Sequence, residues 1–300
     1  MKNSALSLRG VMPPIPTPFD AQGEVHTQAL VDNLDRWNQY DLAGYVVLGS
    51  NGEAPYMTEE EKVRVWQIAR RAIPADKLLV AGTGCESTRA TIALTRRAAE
   101  AGADAALAVT PHYYTGKMTA DLLVRHYQAV ADASPIPILI YNVPGFTGVN
   151  TEAATLARAA QHPNIVGVKD TSGNIAQIAD TVRLVPPKFQ VLAGSASFFF
   201  AGLAVGAIGG VLAVANVAPA QALDIYRLFQ EKQWDQAAEL QRRMLPVNAA
   251  VTTRFGIAGL KAALDMLGYY GGPVRSPLLD LTAAERQTVR DVLVEGGILE

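Results

Sequence analysis

Ile136-Pro-Ile-Leu-Ile140 and Ile165-Val-Gly-Val168 are two short apolar runs separated by a stretch of helical period. A run without polar alternation needs cover on both faces, and a parallel strand between helices receives it. The pattern extends in both directions. Upstream lie Val11-Met-Pro-Pro-Ile15, Gly44-Tyr-Val-Val-Leu48, Leu78-Leu-Val-Ala81 and Ala105-Ala-Leu-Ala-Val109; downstream lie Gln190-Val-Leu-Ala193 and Gly210-Val-Leu-Ala-Val214. Eight such runs, alternating with amphipathic segments between Gly10 and Val217, predict repeated βα units of the α/β class. Their number predicts closure as a (β/α)8 TIM barrel, an architecture of about 250 residues. An open doubly wound sheet is the alternative, although no Gly-x-Gly-x-x-Gly follows the first run.

Thr58-Glu-Glu-Glu and Ser87-Thr-Arg-Ala each place a capping residue at the start of a helix. After Ala218 the strand pattern stops. Helical patterns follow at Ala220–Glu231, Trp234–Leu245 and Gly256–Leu267, the last after an Asn248-Ala-Ala-Val-Thr-Thr253 connection. Residues 1–218 are therefore expected to form the barrel and its active site. Residues 219–300 are expected to form a helical extension packed on it, since no linker or low-complexity tract separates the two.

The chain has 300 residues, 49% hydrophobic and 18% charged, with a formal net charge of −2. Without a cluster of Lys and Arg it lacks the electrostatic footprint for nucleic acid or an anionic membrane, so a small-molecule partner is expected. Its one cysteine, Cys85, permits no intrachain disulfide, which suits the cytoplasm. Met1 to Gly10 holds no apolar segment of a secretory signal. Phe198 to Ala218 carries no charge over about 20 residues, long enough to span a bilayer. Its glycines at 202, 206, 209 and 210 favour a buried helix followed by a buried strand.

Reactive groups of such barrels sit at the C-terminal ends of strands. Lys169 closes the sixth run and Tyr141 the fifth, which puts an amine and a phenol on neighbouring strands at one barrel mouth. A lysine attacks a ketone as the free amine, and loss of hydration in an apolar pocket favours that form. The alternative is an ion pair of Lys169 with Asp170. After the second run, Gly49-Ser-Asn-Gly-Glu53 is a glycine-flanked loop whose N–H groups suit an anion such as a 2-oxo acid carboxylate, or is an ordinary βα turn.

Gly49-Ser-Asn-Gly-Glu53, Val109-Thr-Pro111 with Tyr113-Tyr114, Tyr141-Asn-Val-Pro144, Gly167-Val-Lys-Asp170 and Leu192-Ala-Gly-Ser195 together resemble the dihydrodipicolinate synthase/N-acetylneuraminate lyase superfamily. The resemblance covers nearly the whole chain. Within it the chain looks most like the 4-hydroxy-2-oxoglutarate aldolases, through Ala81-Gly-Thr-Gly-Cys-Glu-Ser87, Asn248-Ala-Ala-Val251, Arg254-Phe-Gly-Ile257 and Gly268-Tyr-Tyr-Gly-Gly-Pro273. The resemblance implies that Lys169 forms a Schiff base and that Tyr141 moves the proton during carbon–carbon bond making or breaking. It implies that Ser50 and Asn51 hold the substrate carboxylate, and that Ser50 links Tyr141 to Tyr113, or its neighbour Tyr114, from another subunit of a homotetramer built as a dimer of dimers. Thr171 and Gly194 match the remaining substrate-binding positions, Thr171 in place of a serine.

Two departures turn the reading from lysine biosynthesis towards cleavage of 4-hydroxy-2-oxoglutarate to pyruvate and glyoxylate. Phe146 stands near where the synthases carry an arginine for a second carboxylate, and Ser50-Asn51 stands where they carry two threonines. The alternatives are a 4-hydroxy-tetrahydrodipicolinate synthase condensing pyruvate with aspartate semialdehyde, a 2-keto-3-deoxy sugar acid aldolase, and a non-catalytic 2-oxo acid binder. Metal-dependent aldol chemistry needs a cluster of His and carboxylate ligands. His26, His112, His126 and His162 lack that spacing, so neither metal nor cofactor is expected.

Overall fold

The computed structural model describes residues 6–300; the first five, part of the stretch read for an export signal, lie outside the described residues. Nine parallel strands form one sheet: β1 (Gly10–Met12), β2 (Pro14–Ile15), β3 (Gly44–Val47), β4 (Leu78–Gly82), β5 (Ala105–Val109), β6 (Ile138–Asn142), β7 (Ile165–Asp170), β8 (Gln190–Ala193) and β9 (Gly209–Val211). The first predicted run supplies both β1 and β2. Proline has no N–H to give to a ladder, and the strand breaks at Pro13. β1 then pairs with β9 on one side, β2 with β3 on the other, and the ring closes as a TIM barrel. The Val11 and Pro13 carbonyls, which accept from the Ala43 and Val46 N–H groups at 3.0 Å each, complete the seam.

Alternation along the strands separates an inner from an outer layer. Inside, Met12, Val46, Val80, Leu107, Leu139, Tyr141, Leu192 and Val211 make one cluster. Outside, Ile138, Ile140, Val168 and Val191 pack with Tyr127, Leu156 and Ile178 of the surrounding helices. The helix Glu59–Ala72 begins with a capping box between Thr58 and Glu61, and Thr88–Glu100 is capped by Ser87, both as the sequence predicts. Trp66 of the first of these is fully buried and donates its indole N–H to the Val47 carbonyl at 3.4 Å, which fixes the helix over β3.

No helix among the described residues is long and apolar enough to cross a membrane. The charge-free stretch after Phe198 folds as the helix Phe199–Ala204, then β9, then a 3₁₀ turn at Ala213–Asn216. Pro219–Gln230 follows, and its Tyr226 hydroxyl donates to the Ile208 carbonyl at 3.2 Å beside β9. The segment Asn248–Thr253 is helical instead of a connection. Trp234–Ala249 runs on into a π-helical turn, Ala250–Arg254. The Thr252 hydroxyl donates to the Asn248 carbonyl at 2.5 Å, so a residue that disfavours helices finds a partner inside one, and the wide turn breaks the 3.6-residue period a sequence reading follows. Gly256–Met266 and Ala283–Glu295 complete the chain, the latter opened by a Thr282/Glu285 capping box. One apolar cluster runs without a break from Val11 and Val47 to Val251, Leu260 and Leu293.

Candidate active site

Parallel pairing of β6 with β7 sets Tyr141 beside Lys169, each within the last two residues of its strand. Both are buried, 4% and 3% exposed, and the Lys169 Nζ lies 3.8 Å from the centre of the Tyr141 ring. Asp170 does not neutralise the amine. Its carboxylate turns to the outer face, where it accepts from Ser172 N at 2.7 Å and from Asn142 Nδ2 and Gln177 Nε2 at 3.1 Å each. A desolvated amine without a carboxylate partner is suited to attack a carbonyl carbon.

Ser50 enters from the end of β3. Its Oγ is 3.3 Å from the Tyr141 hydroxyl, within hydrogen-bond reach. The loop that carries Ser50 is bracketed by two non-glycine residues in the left-handed region, Leu48 at φ 63° and Glu53 at φ 55°. Each such residue costs about 1–3 kcal/mol, so the surrounding structure must hold the turn in place. Gly82 lets the loop lie on β4, where a Cβ would stand 1.9 Å from the Leu48 carbonyl oxygen.

Asn51 Nδ2 and Thr171 Oγ1 are both buried without a hydrogen-bond partner. Donors left in this way cost free energy unless a ligand satisfies them, and a carboxylate can accept from both an amide and a hydroxyl. Gly194 abuts Thr171, its N–H donating to the Asp170 carbonyl at 2.6 Å; a Cβ there would lie 1.9 Å from Thr171 Oγ1.

An apolar cleft of about 520 Å³ opens on the other side of Tyr141, lined by Ser50, Glu53, Tyr141, Phe146, Ile257 and Leu278 among others. Lys169 does not line this cleft, which meets the lysine–tyrosine pair only through Tyr141. Phe146, 73% exposed, stands at its edge on the short helix Pro144–Thr147.

Tyr113 is the sequence-predicted site residue that one chain does not bring to the others. It is 76% exposed and packs edge-on against Tyr114, ring centres 5.1 Å apart. Its loop is pinned by Glu86, whose carboxylate accepts from the main-chain N–H of His112 at 2.9 Å and of Tyr113 at 2.8 Å and lies 2.9 Å from His112 Nδ1. Sequence reasoning passed over Glu86, although it lies within the Ala81–Ser87 motif.

The four histidines are engaged separately. His26 Nδ1 caps the helix Thr27–Trp37, and His162 pairs with Asp132 at 2.9 Å. His126 is 5% exposed, with Nδ1 2.9 Å from the Thr88 hydroxyl, and burial pushes its pKa down from 6.5 to about 4. Below 6.5 the unfolded chain takes up a proton that the folded chain refuses until about pH 4, so the stabilisation is complete above the first value and is lost between them. Relative to pH 7, denaturant titrations at about pH 5 are expected to show a loss of about 2 kcal/mol from this group, and His126→Gln to remove that part of the slope. An unchanged slope in the variant would refute the assignment.

The chain matches the Dihydrodipicolinate synthetase family over residues 7–295. It is 37% identical over 288 residues to a 4-hydroxy-tetrahydrodipicolinate synthase of Methanothrix thermoacetophila, covering 96% of each chain. It is 33% identical to the enzyme of that name from Oceanobacillus iheyensis, covering 92% of this chain and 93% of the other. Among solved structures, the chloride-inhibited dihydrodipicolinate synthase of Acinetobacter baumannii complexed with pyruvate superposes with a TM-score of 0.93 at 31% identity, covering 98% of this chain and 100% of the other. These matches overturn one expectation: relatives aligned over nearly their full length carry the synthase name, so assignment to 4-hydroxy-2-oxoglutarate cleavage is withdrawn. Two of the motifs that suggested it, Asn248–Val251 and Gly268–Pro273, lie in a helix and a connecting segment of the C-terminal part of the chain.

Proposed function

The chain belongs to the dihydrodipicolinate synthetase family and is a carbon–carbon lyase of the Schiff-base type, and from that premise we propose that it condenses pyruvate with aspartate semialdehyde as a 4-hydroxy-tetrahydrodipicolinate synthase. The observation that carries this reading is the buried, carboxylate-free Lys169 amine against Tyr141, with the Asn51 and Thr171 donors buried and unpartnered just after the ends of β3 and β7. Lys169 Nζ adds to the pyruvate C2 carbonyl and the adduct loses water to give a protonated imine. That imine is the electron sink that lets C3 lose a proton and become the enamine carbon. The enamine attacks the aldehyde, and the new alkoxide takes a proton from Tyr141, which recovers it through Ser50. The amino group brought by the aldehyde then attacks C2, displaces Lys169 and closes the ring. Asn51 and Thr171 hold the pyruvate carboxylate, and Gly194 leaves room for it.

The three-quarters exposed Tyr113 supports a neighbouring subunit as the place where it works, extending the Ser50–Tyr141 relay across an interface within a homotetramer assembled as a dimer of dimers. The same reading places the enzyme in the cytoplasm, in keeping with a single cysteine, Cys85.

Because Phe146 offers no charge to a second carboxylate, a comparison of aldehydes is the decisive test. Purified protein is incubated with pyruvate and aspartate semialdehyde, or with pyruvate and glyoxylate, and products are followed by mass spectrometry. The synthase reading expects the heterocyclic product to form faster. Pyruvate trapped on Lys169 by borohydride without any turnover of aspartate semialdehyde would remove the synthase assignment and leave the imine chemistry standing.

A further inference from the structure

The Ser50–Gly52 turn is held from outside the barrel. Glu53, which ends it in a left-handed conformation, is fully buried, and its carboxylate meets Lys261 Nζ at 2.5 Å and accepts from the Arg275 main-chain N–H at 2.7 Å. Lys261 belongs to the helix Gly256–Met266 and is itself 1% exposed. Its ammonium also donates to the Pro273 carbonyl at 2.7 Å and lies 4.4 Å from the centre of the Phe19 ring. Arg275 follows the Gly268–Pro273 motif, for which the chemistry of the barrel mouth has no use. Its guanidinium lies 4.2 Å from the centre of the same Phe19 ring, donates to the Tyr56 carbonyl at 2.9 Å, and grips the two Glu61 oxygens at 2.6 and 2.9 Å. The loop is thus tied to the C-terminal segment at Glu53 and again at Tyr56. From the barrel it receives a bond from Thr17 Oγ1 to the Gly52 carbonyl at 2.7 Å.

A fully buried ion pair is an expensive way to join two segments, since both charges are stripped of water, and an apolar pair would pack as well. What the ion pair adds is direction. A carboxylate fixed by an ammonium on one oxygen and a main-chain N–H on the other holds Glu53 in one orientation, and with it a strained turn three residues long. Burial draws the Lys261 pKa down while Glu53 opposes that fall, so the charge on Lys261 depends on the carboxylate beside it.

We propose that Glu53, held by Lys261 and the Arg275 main chain, and the Tyr56 carbonyl, held by the Arg275 side chain, are the two positioning points through which the C-terminal segment holds Ser50 and Asn51 for the substrate carboxylate. Affinity for a 2-oxo acid is then set in part by residues that never touch it. The inference rests on the reading of Lys169 as the imine-forming amine.

The test measures borohydride trapping at Lys169 against concentration, with pyruvate and with acetone, a ketone lacking the carboxylate. Three proteins are compared: wild type, the double variant Glu53→Gln/Lys261→Met, which removes both charges together, and Arg275→Met, which keeps the main-chain N–H to Glu53 and removes the tie to the Tyr56 carbonyl. Half-saturation by pyruvate is expected to rise about tenfold or more in the double variant and about threefold in Arg275→Met, because displaced binding groups weaken binding steeply. Half-saturation by acetone, and the fraction trapped at saturating pyruvate, are expected to match wild type. Unchanged pyruvate half-saturation in the folded variants overturns the proposal. An equal rise for pyruvate and acetone also overturns it, since the damage would then lie at Lys169. If the double variant does not fold, Arg275→Met carries the decision. Wild type that pyruvate does not label at Lys169 refutes the imine reading itself.

Discussion

Replacing Lys169 with methionine is expected to lower kcat/KM for condensation by at least about 10⁴-fold and to abolish borohydride-dependent labelling by pyruvate. Methionine matches the length and apolar stem of lysine, so the barrel interior around Tyr141 and Leu192 keeps its packing while the amine disappears. No second amine is in place to substitute, since Lys261, the other fully buried lysine of the described residues, is engaged with Glu53. The measurement is steady-state turnover together with mass spectrometry of the reduced adduct. Residual activity within about tenfold of wild type would mean that the reaction does not pass through this imine.

Tyr141→Phe is expected to produce the second-largest loss, about 10²–10⁴-fold in kcat, with pyruvate labelling of Lys169 retained. The ring that lies 3.8 Å from Nζ remains in the variant, and what is lost is the hydroxyl 3.3 Å from Ser50 Oγ. Trapping and turnover therefore separate. A variant that turned over normally would move the proton transfer to another group, and one that no longer labelled would show that the hydroxyl is needed to form the imine as well.

Much of this site is legible in a linear reading because parallel strands translate order into adjacency. Tyr141 and Lys169 close consecutive apolar runs, and consecutive runs of a βα repeat become neighbours at one rim. Ser50 and Asn51 follow for the same reason from the end of β3. The Glu53–Lys261 pair has no such signal, because a helix of the C-terminal segment meets the loop through tertiary packing, and no periodicity marks a lysine as destined for burial. The π-helical turn at Ala250–Arg254 was hidden by its own geometry, which departs from the period used to find helices. The preferred aldehyde was misjudged for a different reason. Phe146 and the Ser50-Asn51 pair are few against a lysine, a phenol and a barrel shared with relatives that carry another name, and substrate choice rests on side chains too sparse to weigh by inspection.

The seam at Pro13 bears on the order in which the molecule is made. β1 is synthesised about 200 residues before β9, the strand it must pair with. Until translation has passed Val211, the nascent chain is an open sheet with unpaired main-chain groups at both margins, one near Val11 and one on whichever strand has just emerged. Native barrel closure therefore waits until Gly209–Val211 has been made. A product that ends before Gly209 lacks its closing strand and keeps both adhesive margins exposed, which makes interrupted synthesis a route to aggregation for this protein.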